Sequence, residues 1–360
     1  MADEILFVVK DLGGTRNVAP VALELAKLGP SLDVHVIANG KAHEILPMLP
    51  DPITEFEVFD SAADVLDAYP KPRIMVSSMC SEGGIGRDLI PLLRGQCPTV
   101  VMPDSPWGRY QKEWADHSFW SDWLLVNDKR CESIAHALWH GFPGSQIQRL
   151  SWPFLDQFCG YDISAATEDV RLNLCPDNSM PIVLFVGQLN HTSKVLQEVI
   201  SEINRLERRR VYLIVRLHPR MDEVEGRACE EAMKLFSNGV LISDSRRYKT
   251  LRPLIAAADV TVSMYSTALI EAAALRRPSI AALTEPGLCA FYEDIGLKIK
   301  PSWPGYIYEI DNGLALSVAL SCALRGDLQK GLRRHQDANL PVDGQNAKRV
   351  AAFLLQLPSL

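Results

Sequence analysis

Apolar and polar positions alternate along this chain in two rhythms, and the rhythms take turns. "EILFVVK" (4–10) is a continuous apolar run of strand length. "NVAPVALELAKLG" (17–29) follows, with apolar residues at helical spacing and a terminating Gly29. Such switching between a buried strand and an amphipathic helix is the signature of βαβ units. "DVHVIAN", "KAHEILPML", "ITEFEVF" and "AADVLDAY" continue it, and so do "RIMVSSM", "IGRDLIPLLRG" and "PTVVMPD". "WLLVND", "RCESIAHALWHGF" and "IQRLSWP" complete a first series. The pattern breaks over 154–181, which is polar and rich in turn residues and reads as a linker.

A second series begins at "PIVLFVGQ" (181–188) and runs through "VYLIVRLHP", "DVTVSM", "TALIEAAALRR" and "PSIAALT", with helical patterns between. "LALSVALSCALRG" and "AKRVAAFLLQL" close the chain. Runs that are apolar throughout predict parallel sheets buried on both faces. The expected architecture is α/β, with two tandem Rossmann-like domains facing a cleft. The first domain would span 1–158 and the second 175–330. Residues 331–360 would form a C-terminal helix packing back on the first domain. A chain of 360 residues fits two domains at about 150 residues each.

Composition narrows the function classes. A net charge of -7 argues against a nucleic-acid partner, which needs a basic face. The densest cationic run, Arg208–Arg210, ends a polar helix and reads as a solvated end. The start is acidic and lacks the basic head of a secretory signal. No apolar stretch approaches the roughly 18 residues of a membrane span. None of the eight cysteines forms a C-x-x-C pair, so reduced, buried thiols in a cytoplasmic protein are expected.

Polar residues gather where the apolar runs end. "VSMYSTALIEAAALRRPSIAAL" (262–283) sets Ser263, Ser266 and Thr267 at a strand-to-helix turn, with Glu271 one turn further on. A helix amino terminus offers free N–H groups to a phosphate, and hydroxyls at the cap can add to them. A carboxylate at Glu271 can accept both hydroxyls of a ribose. The stretch therefore looks built for a nucleoside diphosphate; taken singly, Ser266 and Thr267 also read as helix caps. "VLFVGQLNHTSK" puts Gly187 and Gln188 at a second strand end, and "VYLIVRLHPR" puts Arg216, His218 and Arg220 at a third.

These segments resemble nucleotide-sugar glycosyltransferases of the GT-B fold. "DVTVSMYSTALIEAAALRRPSIAAL" looks like their donor-site segment. "DLGGTRNVAPVALELAKLG" resembles the glycine-rich first loop of peptidoglycan-type N-acetylglucosaminyltransferases and equally the start of non-hydrolysing UDP-N-acetylglucosamine 2-epimerases. "RLHPR" resembles the strand-end His-Pro of epimerases and of glycerophosphate- or sialyl-type transferases. The resemblance implies that Gly13, Gly14, Thr15 and Arg16 form a loop for acceptor or phosphate. It assigns the diphosphate to Ser266 and Thr267 with Gly187 beneath it, the ribose to Glu271, and phosphate or sugar to His218; Gln188 and Ser263 complete the donor set.

The chain departs from the epimerase pattern at Asn17 and Val18 and lacks its donor turn at 263–266. Transfer is therefore expected ahead of epimerisation. A degenerate, non-catalytic member that binds a glycan or a protein is the rival from another class. The expected partners are a nucleotide-sugar donor, taken as substrate with no separate cofactor, and a saccharide or lipid-linked acceptor in cell-surface polysaccharide synthesis.

An inverting transfer needs a general base. Asp104, in "TVVMPDSPW", stands at a strand end and is the expected base, with Asp11, Glu82 and His117 as rivals; Asp104-Ser105-Pro106 also reads as a capped turn. No D-x-D is present, and His136 and His140 lack a third ligand, so no metal is expected. Six of seven tryptophans lie between Trp107 and Trp152. They could stack on sugars, rest on a membrane interface as a peripheral contact, or pack in the core.

Overall fold

A computed structural model describes residues 3–28, 32–206, 210–243 and 248–358. They fall into two compact units, Met1–Cys159 with Pro341–Leu360, and Gly160–Leu340. The first holds β1 (Asp3–Val9), β2 (Leu32–Ala38), β3 (Ile74–Met79), β4 (Thr99–Pro103), β5 (Trp123–Val126) and β6 (Ile147–Arg149). The second holds β7 (Ile182–Val186), β8 (Val211–Arg216), β9 (Gly239–Ser243), β10 (Val260–Ser263), β11 (Ser279–Ala282) and β12 (Tyr308–Ile310). The strand orders are β2-β1-β3-β4-β5-β6 and β12-β11-β10-β7-β8-β9. Every pairing is parallel.

The apolar runs dictate this. β3, β4, β7, β10 and β11 are buried at every position, because helices cover both faces of a parallel sheet. In the first unit, helix Leu12–Leu28 lays Val18, Val21, Ala22 and Leu25 on Ile5, Phe7 and Val9 of β1. Each such side chain contributes roughly 1.5–3 kcal/mol. The terminal helix Asn346–Leu355 adds Ala347, Val350, Ala351 and Leu354 to the same core. Asp156 fixes its start, accepting from Asn346 N at 3.0 Å and Ala347 N at 2.8 Å.

The strand orders place each unit's site. In both sheets the chain leaves in one direction and then returns to the other side of its first strand, β1 or β7. Such a reversal opens a crevice at the carboxyl ends of the strands.

Two expectations are corrected. Residues 154–181 are not an irregular linker: they hold most of a 3-10 helix, Pro153–Phe158, and an α-helix, Ile163–Leu174, capped by Asp162 on Ala165 N at 2.9 Å. That helix buries only Val170 fully, so its apolar stripe is too thin to read in the sequence. "ITEFEVF" makes no strand. Glu57 alone bridges to Ile37, because the segment touches the sheet edge at one point. Gly29, Arg208 and Arg209 lie outside the described residues.

Candidate functional site

The registers align the first sheet's carboxyl edge. Val8, Ser77 and Val101 share one row across β1, β3 and β4, so Asp11, Cys80 and Asp104 follow three positions later on the same edge. Asp11 caps helix Leu12–Leu28, its Oδ1 accepting from Gly14 N at 2.9 Å. Gly13 and Gly14 therefore lie in the first helical turn and not in an open loop. Their smallness is required there. A Cβ on Gly14 would meet Ser78 Oγ at 2.0 Å, and one on Gly13 would stand 3.2 Å from the Asp104 backbone oxygen. The helix start is thus pressed onto the ends of β3 and β4. Thr15 is buried at the same edge. Arg16 instead lines a separate cavity of about 220 Å³ with Leu23, Phe154 and Gln157.

Asp104 is half-buried, and its Oδ1 is buried without a hydrogen-bond partner. Its pKa is pushed up from 3.8 to about 7, first by burial and then by the neighbouring charge of Asp11; Arg109 and a hydrogen bond from Ser105 oppose the rise. Thr15 Oγ1, Ser78 Oγ and Tyr110 OH are also buried and unpartnered. Burial comes first again in raising the Tyr110 pKa, and the charge of Asp104 contributes. Lys10 donates from Nζ to Ser81 O at 3.1 Å and Gly83 O at 3.0 Å, holding the loop beside the switch point.

The other proposed bases sit differently. Glu82 is exposed and 3.9 Å from Lys10 Nζ. His117 is exposed and stacks on Trp120 at 3.8 Å. Sequence reasoning missed Lys10, Ser78, Arg109 and Tyr110. The first two follow or end apolar runs and carried that signal, whereas Arg109 and Tyr110 lie in an irregular stretch with none.

In the second sheet, Ser263, Val186 and Arg216 stand in one row across β10, β7 and β8. Gly187, His218 and the Ser266 turn therefore leave three adjacent strand ends. Ser263 Oγ donates to Val186 O at 2.5 Å, and Ser266 Oγ accepts from Ala268 N at 3.2 Å. Gly187 N donates to Arg216 O at 2.9 Å. Gln188 N donates to Thr192 Oγ1 at 2.8 Å, and that hydroxyl donates to Gln188 O at 2.9 Å. Thr267 is half-buried and Glu271 buried in helix Thr267–Ala274.

His218 Nδ1 accepts from Arg220 N at 3.1 Å. Burial, and then Arg220, lower its pKa, so the neutral ring is favoured. Arg216, His218, Asp222, Glu223 and Arg227 line a cavity of about 580 Å³.

Three helices leave β7, β8 and β10, and their starts differ in charge. Ser193 N, in the first turn of helix Thr192–Asn204, donates to Glu225 Oε1 at 2.7 Å. Helix Glu223–Met233 is capped by Asp222 and carries Glu223 and Glu225 in its first turn. Helix Thr267–Ala274 has a serine cap and no acidic residue in its first turn. Of the three, it is the one an incoming phosphate meets without a resident carboxylate.

The tryptophans mostly pack in the core. Trp107, Trp114, Trp139 and Trp152 are buried, while Trp120 and Trp123 are half-buried. Trp139 Nε1 donates to Trp114 O at 3.1 Å, and Trp114 Nε1 to Cys80 O at 3.1 Å. The four buried rings offer no face to a sugar or a membrane. His136 and His140 are exposed, and among the described residues no three His, Cys, Asp or Glu side chains gather to hold a cation. No helix among them is long and apolar enough to cross a membrane.

No family model and no curated protein matches the sequence. Solved structures do. UDP-GlcNAc 2-epimerase from Neisseria meningitidis, bound to UDP-GlcNAc, superposes with a TM-score of 0.66 at 13% identity, over 98% of this chain and 100% of that one. UDP-GlcNAc 2-epimerase from Methanocaldococcus jannaschii gives 0.63 at 14% identity, over 98% and 99%. The wall teichoic acid polymerase TagF gives 0.58 at 13% identity, over 98% and 89%. Likeness at this identity establishes the fold, which is the two-domain GT-B fold with Rossmann-like units.

Proposed function

We propose that the protein transfers a sugar, or a similar group such as a polyol phosphate, from a nucleotide-activated donor to an acceptor hydroxyl without a metal. The observation that carries this reading is Asp104. It is a carboxyl with a pKa near 7 and a buried, unpartnered oxygen, at the edge where three strands and a helix start converge. A base poised near the working pH is what removal of a hydroxyl proton needs. Thr15, Ser78 and Tyr110 would position that hydroxyl. In the second unit, the start of helix Thr267–Ala274 would take the diphosphate and Glu271 the ribose. Neutral His218 would donate to a phosphate or sugar oxygen. Departure of the nucleoside diphosphate in sugar transfer, or of the nucleoside monophosphate in polyol-phosphate transfer, would then be favoured by the helix dipole. The structural neighbours, a wall teichoic acid polymerase and a UDP-GlcNAc 2-epimerase bound to UDP-GlcNAc, support a nucleotide-sugar-related role.

A second reading, a UDP-sugar 2-epimerase, is supported by the higher TM-scores of two epimerases, 0.66 and 0.63, against 0.58 for the polymerase. Thermal shifts with UDP, CDP, GDP, ADP, TDP and CMP test the donor site. One nucleotide should stabilise the fold by about 2.7 kcal/mol at 100 times its Kd, and Glu271→Gln should abolish the shift. No shift with any nucleotide overturns the reading. Turnover of the matching nucleotide sugar with no acceptor present selects epimerisation.

A further inference from the structure

Thr15 Oγ1, Asn17 Oδ1, Ser78 Oγ and Asp104 Oδ1 are buried around the start of helix Leu12–Leu28 without hydrogen-bond partners, and all four are oxygens. The donors beside them are in use. Asn17 Nδ2 donates to Pro103 O at 3.2 Å, and Cys80 Sγ to Gly83 O at 3.1 Å. Gly14 N donates to Asp11, so the positive end of the helix is already met by a carboxylate. Two of the four oxygens, those of Asn17 and ionised Asp104, can only accept.

Charge points the same way. Asp11 and Asp104 act on each other, and each raises the cost of the other's ionisation. The cations that act on this edge have carboxylates of their own. Lys10, which acts on Cys80, lies 3.9 Å from Glu82 and donates to two backbone oxygens. Arg109, which acts on Asp104, lies 3.3 Å from Glu113. The glycines keep the ground between the two acids clear. The point where a Gly14 Cβ would stand is 2.0 Å from Ser78 Oγ and 3.2 Å from Asp11 Oδ1, and that of Gly13 is 3.6 Å from Asp104 Oδ2. Ser78, only 1% exposed, is thus aimed at the spot that Asp11 faces. Asp11, Gly13 and Asp104 are partly exposed, so solvent reaches the mouth of this spot.

We infer that this edge selects an acceptor that carries a protonated amine beside its reacting hydroxyl, with the ammonium on Asp11 and Ser78 and the hydroxyl on Asp104. The inference rests on the transfer reading and deepens it by naming the acceptor's class. An ammonium brings three donors and the positive charge that the two acids lack. Hydrogen bonds between charged partners are roughly twice as strong as neutral ones. A third hydroxyl in its place supplies a donor without the charge. A carboxylate or phosphate there meets two acids and leaves the buried oxygens without donors. The amine takes no part in bond making; it orients the hydroxyl next to it.

Thermal shifts of the full chain with 3-amino-1,2-propanediol, glycerol and glycerate, at matched ionic strength, test this, because the three differ in one group. The amine should give a saturable shift with a Kd about tenfold below that of glycerol, a difference of about 1.4 kcal/mol, and glycerate should give none. Asp11→Asn keeps a helix-capping side chain and removes the charge. It should weaken the amine about tenfold and leave glycerol unchanged. Asp104→Asn should also weaken the amine, so the test stands if either variant folds. Equal affinity for amine and glycerol, a shift with glycerate, no saturable shift with the amine, or an amine affinity that survives both substitutions overturns the inference. The nucleotide panel run alongside separates the two readings. A nucleotide shift without amine preference sinks this inference alone, whereas no nucleotide shift sinks the transfer reading and this one with it.

Discussion

At the carboxyl edge of the first sheet, Thr15 Oγ1, Ser78 Oγ, Asp104 Oδ1 and Tyr110 OH are buried with no hydrogen-bond partner. At the same edge of the second sheet, Ser263, Ser266 and Thr192 use their hydroxyls on Val186 O, Ala268 N and the Gln188 backbone. A buried polar group without a partner costs about 1–3 kcal/mol, so the first edge holds its unsatisfied groups at a cost in stability. At the second edge these three hydroxyls are spent, and helix Thr267–Ala274 starts with no acidic residue in its first turn. Under the proposed function, the first would be the chemical edge and the second the binding edge.

Substitutions at each edge can break that contrast. The largest effect is expected from Asp104→Asn. It should lower turnover by about 10²–10⁴-fold while leaving the nucleotide-induced thermal shift intact; loss of both would erase the division of labour. Turnover of the unsubstituted protein should rise with pH through about 7, where Asp104 loses its proton.

The same residue sets a stability trend. Its folded pKa of about 7 lies above the ordinary 3.8, so between those values the folded chain holds a proton that the unfolded chain has released. Stability attributable to Asp104 therefore falls as pH rises through this window. Melting curves of Asp104→Asn should lack that fall, and the gap over the unsubstituted protein should widen from pH 5 towards pH 8. A constant gap would remove the raised pKa.

Smaller effects sharpen the comparison. Ser263→Ala should cost about 1 kcal/mol of stability in denaturant unfolding and leave nucleotide affinity unchanged, because its hydroxyl already serves the strand. Ser78→Ala should be neutral or stabilising, because it removes an unpartnered hydroxyl, and should lower turnover. If Ser78→Ala destabilises as Ser263→Ala does, the two edges are not different in kind.

Much of the fold was legible. The apolar runs at 5–9, 74–79, 182–186 and 211–216 marked strands because a parallel sheet demands apolar residues on both faces. Helix Ile163–Leu174 was hidden, because it buries one residue fully and shows no stripe. The site was legible as residue types at strand ends, and Asp104 and His218 do stand there. Their roles depend on neighbours far along the chain: Gly13 against Asp104, Gly14 against Ser78, Glu225 against Ser193.

By itself the sequence determined the alternation of strands and helices, because periodicity is local and burial enforces it. It also determined which polar residues sit where strands end. Only the tertiary structure decided which hydroxyls were spent and which were left over. A hydroxyl's free energy depends on the partner that folding brings within 3 Å, and residues of one type, Ser78 and Ser263, met different partners. The charge state of Asp104 was likewise set by burial and by Asp11, ninety-three positions earlier in the chain.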